Sequence, residues 1–291
     1  EISATDAPTV STTSLYGMFR SCNTITGIGG EWDIDGVTNL QRTFDGCTNF
    51  NGDITTWDTS AVTTLRETFE NAAAFNKDIT RDGVKWDTGE VTNFYLAFDG
   101  CTAFNGDIGN WDVAKGTNFT SMFVSCTNFN QDVGSWSVTV GTTFADMFGA
   151  CTSFNQDLSA WRFKTSGTVS MSSMFNGCTS YNQPMNDWTT AAVTTMARTF
   201  YNNDVLNRDL SNWDTGAVTS MYGMFWLAEA FNQDISAWDV TAVANFESFL
   251  NGANALSTAN YNLLLHHWEA DDPLDDKDFH GGDATTDTTS G

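Results

Sequence analysis

The sequence predicts an α/β solenoid of about ten stacked 25-residue rungs, and three observations carry that prediction. Trp recurs at positions 32, 57, 86, 111, 136, 161, 188, 213 and 238, with spacings of 25, 29, 25, 25, 25, 27, 25 and 25. A second series keeps the same beat: Phe19, Phe44, Phe69, Phe98, Phe123, Phe148, Phe175, Phe200, Phe225 and Leu250. Between them a Phe-Asn-x-Asp-Ile string returns in most rungs, as in Phe231-Asn232-Gln233-Asp234-Ile235. No single rung has enough apolar side chains to fold alone, so neighbours must stack and bury the Phe, Trp and Ile columns together.

Within a rung, Val62, Leu65, Phe69, Ala72 and Phe75 follow a near-helical beat, which predicts a short helix. A Thr ahead of that run (Thr38, Thr63, Thr92, Thr117, Thr142, Thr194, Thr219) is placed to cap its first turn. The residue between Asn and Asp is Gly52, Lys77, Gly106, Gln131, Gln156, Gln183, Arg208 or Gln233, and is expected to face water. Strict strand alternation would bury it, so a turn and a very short strand fit better. Two breaks in the beat, near Thr80–Lys85 and Arg162–Ser166, read as surface loops. Residues 1–268 thus form one repeat unit, with a closing cap at about 251–268 that includes Tyr261, Leu264 and Trp268. Residues 269–291 are Asp-, Thr- and Gly-rich and read as a mobile tail or linker.

Composition narrows the function classes. There are 36 acidic against 12 basic side chains, a formal charge of −24, which argues against nucleic acid and anionic membranes as partners. Apolar residues reach 41%, too many for a disordered acidic chain. No run approaches the length of about 18 apolar residues that would insert in a bilayer. The three His residues, His266, His267 and His280, all lie near the C-terminus, and no nucleophile, phosphate-loop or dinucleotide motif accompanies them. A non-enzymatic protein is expected.

Four columns are candidate sites, each with a plain structural alternative. Asp53, Asp78, Asp107, Asp132 and Asp157 repeat at rung spacing, so each carboxylate needs either a backbone donor or a shared cation. Calcium is the one cofactor such hard oxygen ligands suggest. Gln131, Gln156, Gln183 and Gln233 are candidate contacts on an exposed face. Thr63, Thr92, Thr117 and Thr142, with Asn93 and Asn118 beside them, would form either helix caps or a flat hydroxyl-and-amide surface suited to ice or a polysaccharide. Trp226 stands outside the repeating Trp series and reads either as edge packing or as an aromatic contact for a sugar or protein. The Cys column, Cys22, Cys47, Cys101, Cys126, Cys151 and Cys178, alternates with Ala72 and Ala228. It is read as small packing thiols, with inter-rung disulfides or metal binding as the alternatives.

Units such as Ser220-Met221-Tyr222-Gly223-Met224-Phe225, followed by Phe231-Asn232-Gln233-Asp234-Ile235-Ser236-Ala237-Trp238-Asp239-Val240, resemble the BspA-like leucine-rich-repeat surface proteins over about residues 10–268. That resemblance implies a right-handed α/β solenoid of leucine-rich-repeat type in an extracellular or cell-surface setting. It also implies a role in binding or adhesion to a protein or glycan. The alternatives are a self-associating structural component of a filament, fibre or virion, and an ice-binding protein. The repeat assignment itself is testable: Trp136→Ala should cost about 3–5 kcal/mol by opening a void between rungs, whereas Gln156→Ala should cost little. Equal losses in urea melts would contradict it.

Overall fold

A parallel backbone column runs through the whole repeat. Single-residue bridges link Ser14, Asn39, Thr64, Asn93, Asn118, Thr143 and Ser170, and then Thr195, Ser220 and Asn245. Between Ser170 and Thr195 the contact widens into two short parallel strands, β1 (Val169–Ser170) and β2 (Val193–Thr195). The computed structural model describes residues 10–30 and 32–271. Among the described residues the one α-helix is α1 (Thr258–Asp271), so the chain is repetitive and mostly irregular, consistent with a solenoid.

The short helix expected in each rung is not formed. Its place is taken by a staircase of turns in which successive N–H groups point alternately inward and sideways. In one rung Met122, Val124 and Cys126 donate to the carbonyls of Phe119, Ser121 and Phe123, three residues back. Phe119, Ser121, Phe123 and Ser125 instead donate to Thr143, Ala145, Met147 and Gly149 of the next rung, at 2.8–3.0 Å. This alternation requires left-handed residues, here Ser121 (φ 55°) and Ser125 (φ 60°). Pairs spaced four apart recur along the chain, from Gly17 and Ser21 to Ser248 and Gly252. An α-helix would direct every one of these N–H groups along its own axis and leave nothing to join the rungs. The apolar beat survives because consecutive three-residue turns bury nearly the same positions as a helix does.

The Thr residues expected to cap those helices also act differently. Their backbone N–H and hydroxyl both reach the carbonyl of the equivalent residue one rung earlier, as in Thr117 to Thr92 (N 2.9 Å, Oγ1 3.1 Å). Capping falls to the next residue. Asn39, Thr64, Asn93, Asn118 and Thr143 each accept the N–H two positions on, at 2.8–3.4 Å, as local Asx or hydroxyl turns.

Stacked aromatic ladders fill the interior. Phe69, Phe98, Phe123, Phe148 and Phe175 succeed one another with ring centroids 5.3–5.7 Å apart and nearly parallel planes. A second ladder runs Phe50, Phe75, Phe104, Phe129, Phe154 and Tyr181 at 5.7–5.9 Å. The Trp ladder lies beside them, with Trp86, Trp111 and Trp136 spaced 6.0 and 6.4 Å. From Trp86 to Trp238 each ladder indole N–H is satisfied across the rung boundary, as where Trp161 donates to the Val133 carbonyl at 3.0 Å. Residues 81–84 of the first insertion are exposed around a tight Asp82–Lys85 turn, whereas the second buries Phe163 edge-on against Trp161 and Trp188. At the C-terminal end α1 places Trp268 against Phe246 and Phe249 at 5.5 and 5.8 Å. The helix runs three residues into the stretch read as a tail; residues 272–291, with His280, lie outside the described residues.

The six cysteines are unpaired. Five of them donate to the Phe carbonyl of the preceding rung, from Cys47 (to Phe19, 2.8 Å) to Cys178 (to Phe148, 2.8 Å). Burial raises the Cys47 thiol to about 11 and holds Cys101, Cys126, Cys151 and Cys178 higher still, so these thiols stay protonated. Asn203 occupies the same column, and both of its buried amide atoms lack a hydrogen-bond partner, as does the buried hydroxyl of Tyr181. Asn203→Cys and Tyr181→Phe restore the columns, and each should stabilise the protein by about 1–3 kcal/mol in urea unfolding. A loss of stability in both variants would contradict the column assignment.

Candidate functional site

Most predicted site residues lie on the edge that carries the Asn, Gln and Asp columns, and that edge is tied into the scaffold. Each Asn Oδ1 accepts the backbone N–H of the next Asn, as in Asn130 to Asn105 (2.8 Å) and Asn155 to Asn130 (2.9 Å). Gln131, Gln156, Gln183 and Gln233 turn their Nε2 groups back onto the preceding Asn carbonyl at 2.7–3.4 Å. These glutamines are partly buried, and their amides belong to the ladder. Asp53, Asp107, Asp132 and Asp157 each accept the N–H two residues on at 2.8–3.0 Å, and Asp78 accepts that of Asp107. Among the described residues no group of three or more His, Cys, Asp or Glu side chains is arranged to hold a metal ion. A cleft of about 310 Å³ does open on this edge, between Asp132, Ser135, Gln156 and Asp157.

Thr63, Thr92, Thr117 and Thr142 form an exposed, regular column, but each hydroxyl proton is directed to a Thr carbonyl of the preceding rung, at 2.9–3.4 Å. His266 and His267 are exposed neighbours on α1, their rings 5.8 Å apart.

The staircase presents a third surface whose outward residues change from rung to rung. One column reads Tyr16, Gln41, Arg66, Tyr95, Thr120, Ala145, Ser172, Ala197, Tyr222 and Glu247. Its N-terminal part is a charge network. Arg20 pairs with Asp45 at 2.8 Å, Arg42 and Arg66 both engage the buried Glu67 carboxylate, and Arg66 lies 4.9 Å over the Tyr95 ring. Burial works against the Glu67 charge, yet the two guanidinium partners hold its carboxyl below the usual value.

Its C-terminal part is aromatic. Trp226 meets Tyr201 edge-on at 5.2 Å and 86°, while Arg198 lies 4.9 Å from the Tyr222 ring centre and 5.9 Å from that of Tyr201. Of this cluster only Trp226 was singled out from the sequence. Arg198, Tyr201 and Tyr222 were missed because they sit in variable columns. The available signal was the switch of two adjacent columns to aromatic residues within consecutive rungs.

Stacked rungs with a repeating aromatic interior and a variable outer face define this molecule as a repeat protein. The chain belongs to the family described as "Mycoplasma protein of unknown function, DUF285", whose model matches residues 13–94, 80–168 and 162–263. Neither the curated proteins nor the solved structures provide a match to the chain. Among the described residues no helix is long and apolar enough to cross a membrane.

Three carboxylates of the variable face and two of the ladder edge are shifted in opposite directions. Burial raises Asp99, Asp146 and Glu70, whereas hydrogen bonds from Thr55 and Ser236 lower Asp53 and Asp234. A raised carboxyl favours folding while it is protonated, below its unfolded pKa, and that contribution is lost as pH rises through the folded value. The lowered pair favours folding above the unfolded value and loses this as pH falls. Asp99→Asn should therefore be more stable than the parent chain at pH 7 and no more stable near pH 3. Urea midpoints at the two pH values test this, and an advantage that grew on acidification would contradict it.

Proposed function

We propose that this is a non-enzymatic, extracellular or surface-displayed repeat protein that binds a protein or polysaccharide partner through the outer face of its turn staircase. One observation carries the reading: the regular Asn, Gln and Thr columns are engaged between rungs and the Asp column mostly within them, while the staircase columns vary on a constant backbone. A solenoid that holds its frame fixed and changes its outward side chains has the layout of a recognition surface. The right-handed, leucine-rich-repeat-type architecture and the likeness to BspA-like surface proteins belong to the same proposal. So does the absence of catalysis, which the buried, protonated thiols support.

A structural role through end-to-end association is the second reading. It is favoured by the first rung, where Tyr16 and Met18 are 53% and 49% exposed beside an apolar cleft of about 440 Å³.

An array of immobilised glycans and extracellular-matrix proteins tests the first reading. The parent chain should bind a subset, and a variant with Tyr95, Tyr201, Tyr222 and Trp226 changed to Ser should lose at least tenfold in affinity while its ladder columns stay intact. Changing Gln131, Gln156 and Gln183 to Ala should leave binding within about twofold. The reverse pattern, or concentration-driven assembly without any array binding, would contradict it.

A further inference from the structure

We propose that the staircase face around Arg198, Tyr222 and Trp226 binds a terminal sugar bearing one carboxylate. This rests on the reading of the staircase as the recognition face and names its ligand class. Arg198 is exposed and held by Tyr222: its guanidinium lies 4.9 Å from that ring's centre and its Nη2 donates to the Tyr222 hydroxyl at 3.1 Å, while the Tyr201 ring centre lies 5.9 Å away. Arg20, Arg42, Arg66, Arg81 and Lys115 each have a carboxylate partner; among the described residues Arg198, like Lys77, Lys85, Arg162, Lys164 and Arg208, has none, and of these six it is the one that lies over aromatic rings. A fixed guanidinium with N–H groups left over is a preorganised fork for a carboxylate.

Gly223 is buried beside it. A methyl group added there would lie 3.4 Å from the Trp226 ring and 3.6 Å from Arg198 Cγ, so this residue lies between the two side chains. The equivalent residues in other rungs include Arg42, Glu67, Leu96 and Asp146, all larger than Gly. At φ +55° the backbone also suits Gly.

The chemistry matches one pyranose. The partly exposed Trp226 ring offers an apolar face to the C–H face of a sugar. Arg198 sits one rung away, and rungs are about 5 Å apart, close to the width of a sugar ring. The chain's charge of −24 repels polyanions, which favours a singly charged terminal sugar over an acidic polymer. Asp146 senses the Arg198 charge but does not pair with it, so the fork stays open.

Calorimetric titration of the full chain with 3′-sialyllactose and with lactose tests the site. The parent chain should bind the acidic sugar at least tenfold more tightly than the neutral one. Arg198→Gln should abolish that preference, and Trp226→Leu should weaken both sugars at least tenfold. Thermal melts should change little in either variant, because both side chains lie outside the stacked core. Equal binding of the two sugars, binding of neither, or a preference that survives Arg198→Gln would overturn the proposal. Array binding that persists in both variants but falls on Tyr95→Ser would overturn this site while leaving the wider recognition face standing.

Discussion

Everything in this structure depends on the lateral hydrogen bonds that join one turn staircase to the next. Two left-handed residues per rung, such as Ser121 and Ser125, rotate alternate N–H groups out of the rung and into its neighbour. For residues other than Gly, each such conformation costs about 1 kcal/mol or more. The cost is tolerated because the bonds it creates set a common spacing, and that spacing lets Phe, Trp and Ile stack on their own kind. Change the backbone to a helix and the aromatic ladders lose their registration.

The same spacing determines what the polar columns can do. A side chain repeated at rung distance finds the equivalent backbone one rung away, so Asn, Thr, Trp and Cys all direct their donors or acceptors across the boundary. These groups seal the frame and leave little chemistry for a partner. The proposed recognition therefore uses the columns that do not repeat: the Arg–Glu network at one end of the staircase and the Arg198, Tyr201, Tyr222 and Trp226 cluster at the other. The interior breaks the pattern at Asn203 and Tyr181, where buried polar atoms lack partners. No functional role follows from that pair.

The period of 25 and the aromatic core were legible in the sequence because each is a property of a repeating column. The helix was misread because Val62, Leu65, Phe69, Ala72 and Phe75 satisfy helix and turn staircase alike. The distinguishing mark lay one column over, where Gly46, Asn71, Gly100, Gly177, Asn202 and Gly252 share the position of left-handed φ. A residue type suited to that conformation, recurring at the rung period, argues against a helix more strongly than any apolar beat argues for one. The Thr caps fell with the helix. Trp226 was legible as an outlier, but its neighbours were not, since Arg198 and Tyr222 become a group only when two rungs are stacked together.

The central claim is that the rung is a staircase bonded sideways, and through-hydrogen-bond scalar couplings in a deuterated sample measure this directly. The amide nitrogen of Ser121 should couple to the carbonyl carbon of Ala145 in the next rung, and that of Ser125 to the carbonyl of Gly149. Coupling of Ser121 and Ser125 to the carbonyls four residues before them would establish a helix and contradict the account.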